Sequence, residues 1–346
     1  MIKGKQSIMF EKPPCIVNYA SIVGQKEGEG PLGKYFDKIE HDPMVGKDNW
    51  EEAESELQKK AASMALQKAG LMPEDIRYLF SGDLLGQIIA SSFGMLELQI
   101  PMFGLYGACS TAGESLSLAA MTVAAGYAEH CLAVTSSHFA SAEKQFRYPL
   151  EYASQRPLST TWTVTGSGAF IVGKKGNVKI TGITTGKMMD YGIKDSMNMG
   201  AAMAPAAADT IYQHFQDFER TPEDYDLIVT GDLGVVGREL VLDLLRQKGY
   251  ELTKQYFDCG IAIFDDSTQD THSGGSGCGC SAVTLAGYLL PKLEQGELKR
   301  ILFLPTGALL STVSFNEGQS IPGICHGVVL EHCPLRPAKT TREKFM

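Results

Sequence analysis

The chain has 346 residues, 44% hydrophobic and 21% charged, with a formal net charge of −9. That length favours two packed halves around a large core, and the acidic balance argues against nucleic acid as a partner. No run of about 18 apolar residues is present to cross a membrane, and Met1 to Pro14 lack the apolar core of a signal peptide. Eight cysteines at scattered, mostly apolar positions read as reduced thiols rather than a disulfide framework.

In chain order, Gln25 to Asn49 is rich in Gly and charge and reads as a long surface excursion. Asn49, with Glu52 three residues on, marks an N-cap; the helix it opens runs to about Ala69 and stops at Gly70. Pro73-Glu74-Asp75 then leads into an apolar strand, Tyr78-Leu79-Phe80, and Ser81-Gly82-Asp83-Leu84. An apolar stretch ending in Gly104-Leu105-Tyr106 feeds a tight turn at Cys109, and the helix that follows to Ala125 carries almost no charge except Glu114. Such a helix is buried on most sides. Cys109 falls at its N-terminus, where unpaired backbone N–H groups and the positive dipole end favour a thiolate or a bound anion. The plainer alternative is a packed structural cysteine. Cys131 to Thr135 reads as a buried strand ending in Ser136-Ser137-His138. A polar loop, Ser141 to Thr161, holds Lys144, Arg147 and Arg156, and Gly166 to Gly173 closes the first half as a strand.

The second half repeats these signals. Pro222-Glu223-Asp224 and Gly231-Asp232-Leu233 stand 149 residues after Pro73-Glu74-Asp75 and Gly82-Asp83-Leu84. Cys280-Ser281 repeats Cys109-Ser110 before another small-residue apolar stretch, and Gly327 in its strand repeats Gly168. Three signals in the same order point to a duplication. Strands alternate with helices in both copies, so the class is α/β, with residues 1–177 and 178–346 as the two halves and a short basic tail from Pro334. A buried helix in each half implies five layers, αβαβα. Two such copies bring Cys109 towards a cleft on a shared pseudo-twofold axis.

A cysteine on a buried helix within duplicated α/β halves resembles the thiolase fold over nearly the whole chain. Longer stretches resemble the stage V sporulation protein AD family: Gly107-Ala108-Cys109-Ser110-Thr111, Gln145-Phe146-Arg147-Tyr148-Pro149, Thr165-Gly166-Ser167-Gly168-Ala169, residues 202–210, 274–282 and 306–311. The resemblance implies a protein of spore-forming bacteria that binds pyridine-2,6-dicarboxylic acid (dipicolinic acid), bare or as its calcium chelate. It further implies work beside membrane-embedded partners to load that compound into the developing spore, from a peripheral place on the cytoplasmic side of the spore inner membrane. Thiolase-like proteins commonly dimerise through the sheet edge of the first half, so a homodimer is a prior expectation.

Claisen-type condensation needs, besides a thiolate, a general acid/base and an oxyanion hole. Ketosynthase-like relatives place a His just after a second-half strand; here the strand Asp226 to Val229 is followed by Thr230-Gly231-Asp232, with no His. The other usual position, at the start of the second buried helix, reads Gly277-Cys278-Gly279-Cys280, without Asn or His. The set is therefore incomplete, and non-catalytic binding of a dicarboxylate is the favoured reading. The alternative is an acyl-transferase using Cys109 as nucleophile and His326 as base. For binding, the helix end at Cys109 can receive one carboxylate and the Arg147 fork the other. Ser137 and His138 can add donors. Asp83 and Asp232 face the axis and either position those groups or meet a cation carried with the ligand. In the plainer readings Asp83 and Asp232 only cap helices, Arg147 sits in a surface ion pair and His326 is a satisfied core histidine, while His130 and His214 stand at helix ends. Cys278-Gly279-Cys280 lacks a second ligand pair, so no zinc site and no cofactor is expected.

Overall fold

A computed structural model describes residues 1–146, 150–152 and 155–333. Strands join into one large mixed sheet whose order, from one edge, is Tyr256–Asp258, Leu227–Thr230, Arg300–Leu304, Gly327–His332, Val178–Thr184, Cys15–Gly24, Gly166–Gly173, His130–Ser137, Tyr78–Asp83 and Met102–Leu105. The order is palindromic about the junction of Cys15–Gly24 and Val178–Thr184. On each side the first strand of the half pairs antiparallel with its last, and that one antiparallel with a strand followed by two parallel neighbours. The long outer helices, Trp50–Ala69 and Met199–Phe218, obey the same 149-residue offset as the sequence repeat. The duplication is thus present in the strand order as well as in the short motifs.

Layering follows from the period of two along each strand. Cys131 and Ala133 face the central core while Leu132 and Val134 face the helix Trp50–Ala69. In the second half Ile301 and Phe303 face the centre, and Leu302 and Leu304 face Met199–Phe218 and Gly234–Gln247. Between the two sheet faces lie the buried helices Thr111–Ala124 and Cys278–Thr284, the latter continuing to Glu294. The result is helix, sheet, paired buried helices, sheet, helix, as the sequence implied.

Local signals account for the element ends. Asn49 caps its helix by accepting from the Glu52 N–H at 2.9 Å, and Gly70 ends it in the left-handed region. Asn198 caps the counterpart by accepting from the Ala201 N–H at 3.2 Å. Other expectations need correction. Gln25 to Asn49 is no simple surface excursion: Leu32 and Phe36 are buried, and Lys38–Glu40 pairs parallel with Cys15–Gly24. The Ser141 to Thr161 loop begins inside a helix, Phe139–Phe146. His130 opens a strand, and His214 lies inside its helix, held between Thr184 Oγ1 at 2.7 Å and the Tyr225 hydroxyl at 2.5 Å.

The two asparagine caps yield a direct test of the duplicated architecture. Asn49→Ala and Asn198→Ala should each cost about 1 kcal/mol, read as a lower urea midpoint at unchanged slope. A loss confined to one variant would show that the two long helices do not carry equivalent ends.

Candidate functional site

Cys109 sits in a single 3-10 turn, Ala108–Ser110, that runs straight into Thr111–Ala124. Ala108 is forced to φ +48°, a strained value for a residue with a Cβ. The turn is locked by its own hydroxyls: Thr111 Oγ1 donates to the Ala108 carbonyl at 2.7 Å and accepts from the Gly107 N–H at 3.1 Å, while Ser110 Oγ donates to the Gly107 carbonyl at 2.7 Å. The second buried helix starts in the same way, with Gly277 at φ +102° directly before Cys278. By backbone geometry the counterpart of Cys109 is therefore Cys278, two residues before the Cys280 that the sequence repeat suggests.

Cys109 faces a narrow cavity of about 60 Å³ bounded also by Tyr106, Glu143, Thr161, Met203 and Ser276. At about 10–15 Å³ per water this is room for roughly four to six waters. Past Leu84, Tyr106, Phe146 and Leu310, which line both spaces, the cavity meets a wider cleft of about 330 Å³ bearing Glu51, Glu54 and Asp83.

Asp232 lies behind Cys109. It is fully buried, its Oδ2 accepts from the Gly277 N–H at 2.9 Å, and its Oδ1 meets no N–H or O–H donor among the described residues. The Cys109 thiol is its other neighbour. Burial pushes the Asp232 carboxyl up to about 7. Burial, reinforced by the Asp232 carboxylate and by Cys278, pushes the Cys109 thiol well above its ordinary value. This overturns the expectation that the helix end favours a thiolate. Removal of the sulfur from water and a carboxylate beside it outweigh the dipole, and the Gly277 N–H opposes them only in part.

Cys109, Asp232 and Cys278 converge here. Neither partner brings an N–H donor. The other sequence candidates lie elsewhere. Ser137 Oγ donates to the Val164 carbonyl at 2.6 Å and accepts from the Gly279 N–H at 3.2 Å, so it ties the two halves together and does not line the cavity. His138 has both ring nitrogens engaged, one with the Pro43 carbonyl at 2.9 Å and the other with the Ala140 N–H at 3.1 Å, and it rests against Trp50. Asp83 accepts from Leu85 N–H, Ser91 N–H and Ser91 Oγ, so it braces the first turn of Ile89–Gly94 without being its N-cap, and no bond joins it to His138. His326 accepts from the Gly186 N–H at 3.4 Å; burial holds it down at about 4, and it does not line the cavity. Arg147 lies outside the described residues. Lys144 is paired with Glu51 at 2.5 Å. Among the described residues no cluster of His, Cys, Asp or Glu fit to hold a metal is present.

Sequence reasoning missed Glu54, Glu143 and Asp258. Glu54 is buried, accepts from Ser136 and Ser141 hydroxyls at 2.7 and 2.6 Å, and is pushed up to about 8 by burial and by Asp83. A helical count could have found it, since it shares the buried face with Leu57, Gln58 and Ala61. Asp258 accepts from the Leu233, Gly234 and Ile261 N–H groups and so fixes the loop that carries Asp232.

The family model described as Stage V sporulation protein AD matches residues 4–331. Stage V sporulation protein AD of Bacillus subtilis (strain 168) is 45% identical over 331 residues, which cover 95% of this chain and 98% of that protein. In structure the chain is similar to 3-oxoacyl-[acyl-carrier-protein] synthase III of Aquifex aeolicus VF5, at 15% identity and TM-score 0.57 over 92% of this chain and 100% of that one. It is also similar to a variant of OleA from Xanthomonas campestris, at 15% identity and TM-score 0.58 over 94% and 99%. At such identities the likeness shows the fold alone, and that fold is thiolase-like.

The buried carboxyls set a reactivity and a stability trend. Cys109 should be alkylated by iodoacetamide more slowly than the more exposed Cys333 at pH 8, and Asp232→Asn should speed it by removing the adjacent negative charge; mass mapping of the adducts reads both. Glu27, Glu54 and Asp232 all have raised values, near 7, 8 and 7. The folded state therefore holds these protons more tightly than the unfolded chain, and stability is lost as pH rises through that range. The melting temperature should fall from pH 6 to pH 8.5, and a rise over that interval would contradict the assignment.

Proposed function

The chain belongs to the stage V sporulation protein AD family, and from that premise we propose that it binds dipicolinate without chemical turnover and serves its delivery into the developing spore. The observation that carries this reading is the composition of the Cys109 site. A protonated thiol, a buried carboxyl and a second thiol occupy the converging positions, so the side chains there supply no imidazole base and no amide donor for an oxyanion. The cavity and the wider cleft it meets together offer room for a small planar molecule, with the Thr161 and Ser276 hydroxyls as partners at the cavity wall.

Two ligand carboxylates call for countercharge, and Arg147 is the residue we assign to it on sequence grounds. Membrane-embedded proteins of the same spore system are the proposed recipients. From the family membership we place the chain peripherally on the cytoplasmic face of the spore inner membrane; among the described residues no helix is long and apolar enough to cross a membrane. A second copy is the proposed occupant of the open edge strand Met102–Leu105, where Phe103 is exposed.

Titration calorimetry with dipicolinate and its positional isomers, with and without calcium, tests the reading. The 2,6-isomer should bind and the others should bind weakly or not at all. Arg147→Ala should cost about 1.5–3 kcal/mol of that affinity. Incubation with acyl-coenzyme A should leave no acyl adduct on Cys109; an adduct that forms and turns over would replace this reading with acyl transfer.

A further inference from the structure

Behind the Cys109 wall of the cavity lies a feature that simple binding does not explain. Asp232 is a fully buried carboxyl with one oxygen bound to the Gly277 N–H and the other without an N–H or O–H donor. Among the described residues no cation pairs with it. Its titratable neighbours are Cys109 from the first buried helix, Cys278 and Cys280 from the second, Asp258 and Cys259 beyond the neighbouring strand, and Cys325 from the last hairpin. Every one of these is neutral or negative. Cys109, next to Asp232, and Ser276, the residue before Gly277, line the cavity together with the buried Glu143 carboxyl, so an occupant touches the thiol that stands between it and Asp232.

From this arrangement, and resting on the binding role proposed above, we infer that an anionic occupant enters the cavity together with one proton, which Asp232 takes up. A dicarboxylate places negative charge across the Cys109 thiol from the Asp232 carboxylate, in poorly solvated surroundings. Like charges there oppose each other, and the site relieves the opposition by protonating the side chain. The ligand's own carboxyls stay ionised near neutrality, since ordinary carboxylic acids titrate near pH 4. The added proton lies on Asp232, bonded to one carboxyl oxygen, and no bond of the ligand changes. Without ligand the group is about half protonated at pH 7, so the coupling operates within the physiological range. Binding then tightens on acidification and loosens as the surroundings become alkaline.

Calorimetry of dipicolinate binding at pH 8 in phosphate and in Tris, which differ in ionisation enthalpy, counts the protons taken up. About one is expected, with affinity rising up to tenfold per pH unit from pH 8.5 down to about 7 and levelling below. Asp232→Asn, which mimics the protonated acid, should flatten that profile and retain tight binding at pH 8.5. Glu54→Gln and Glu143→Gln should each keep the slope, which excludes the buried acids of the adjoining cleft and of the cavity wall as its source. Binding without proton uptake, or a slope that survives in Asp232→Asn, overturns the coupling and leaves the binding role standing. Failure of dipicolinate to bind at any pH overturns both. Should Asp232→Asn fail to fold, the proton count on the unmodified protein decides alone.

Discussion

The approach of two buried helices to the sheets on either side of them is the constraint on which the rest of the molecule depends. Helix and sheet backbones come close enough that side chains are excluded at the contact. A Cβ on Gly168, in the closing strand of the first half, would lie 2.7–2.9 Å from Ala282 of the second buried helix. A Cβ on Gly279 of that helix would lie 2.5 Å from the Gly166 carbonyl and 2.6 Å from Ser137 Oγ. These contacts cross between the halves, so the second buried helix is registered against the first-half sheet. That register brings Cys278 beside the Cys109 turn and sets the Gly277 N–H where it reaches Asp232. The site is a consequence of how the duplicated halves lock, and Ser137, which binds partners in both, is part of that lock.

Much of this was legible in the sequence because the signals were local. An N-cap at Asn49, a terminating glycine at Gly70 and the spacing of the repeated Pro-Glu-Asp and Gly-Asp-Leu motifs each report on a few neighbouring residues, and the strand order agrees with them. Burial of a particular polar atom depends instead on elements distant in the chain. His138 looks like a donor at a strand end, yet the Pro43 carbonyl, 95 residues earlier, occupies it. Asp83 and Asp232 are equivalent by repeat and differ by surroundings. The first is saturated by donors from Leu85 and Ser91, whereas the second holds one backbone N–H and a thiol. Duplication preserves position, and divergence of the neighbours decides chemistry.

The same reasoning explains why a thiol at a helix start need not be a nucleophile. The dipole contribution of a helix end is about 0.3–1 kcal/mol at exposed sites and up to about 2 in partly buried ones. Desolvation of a charged sulfur acts in the opposite direction and can move a fully buried group by several pKa units, each about 1.4 kcal/mol. A cationic partner or an imidazole acceptor would reverse the balance; the Asp232 carboxyl deepens it. The cavity wall therefore presents an uncharged sulfur, the Glu143 carboxyl, and hydroxyls of which Thr160 already donates to the Met197 carbonyl and Thr163 to Glu143. Asp232 is thus the group that sets the state of the sulfur facing the cavity, and the helix end beside it does not.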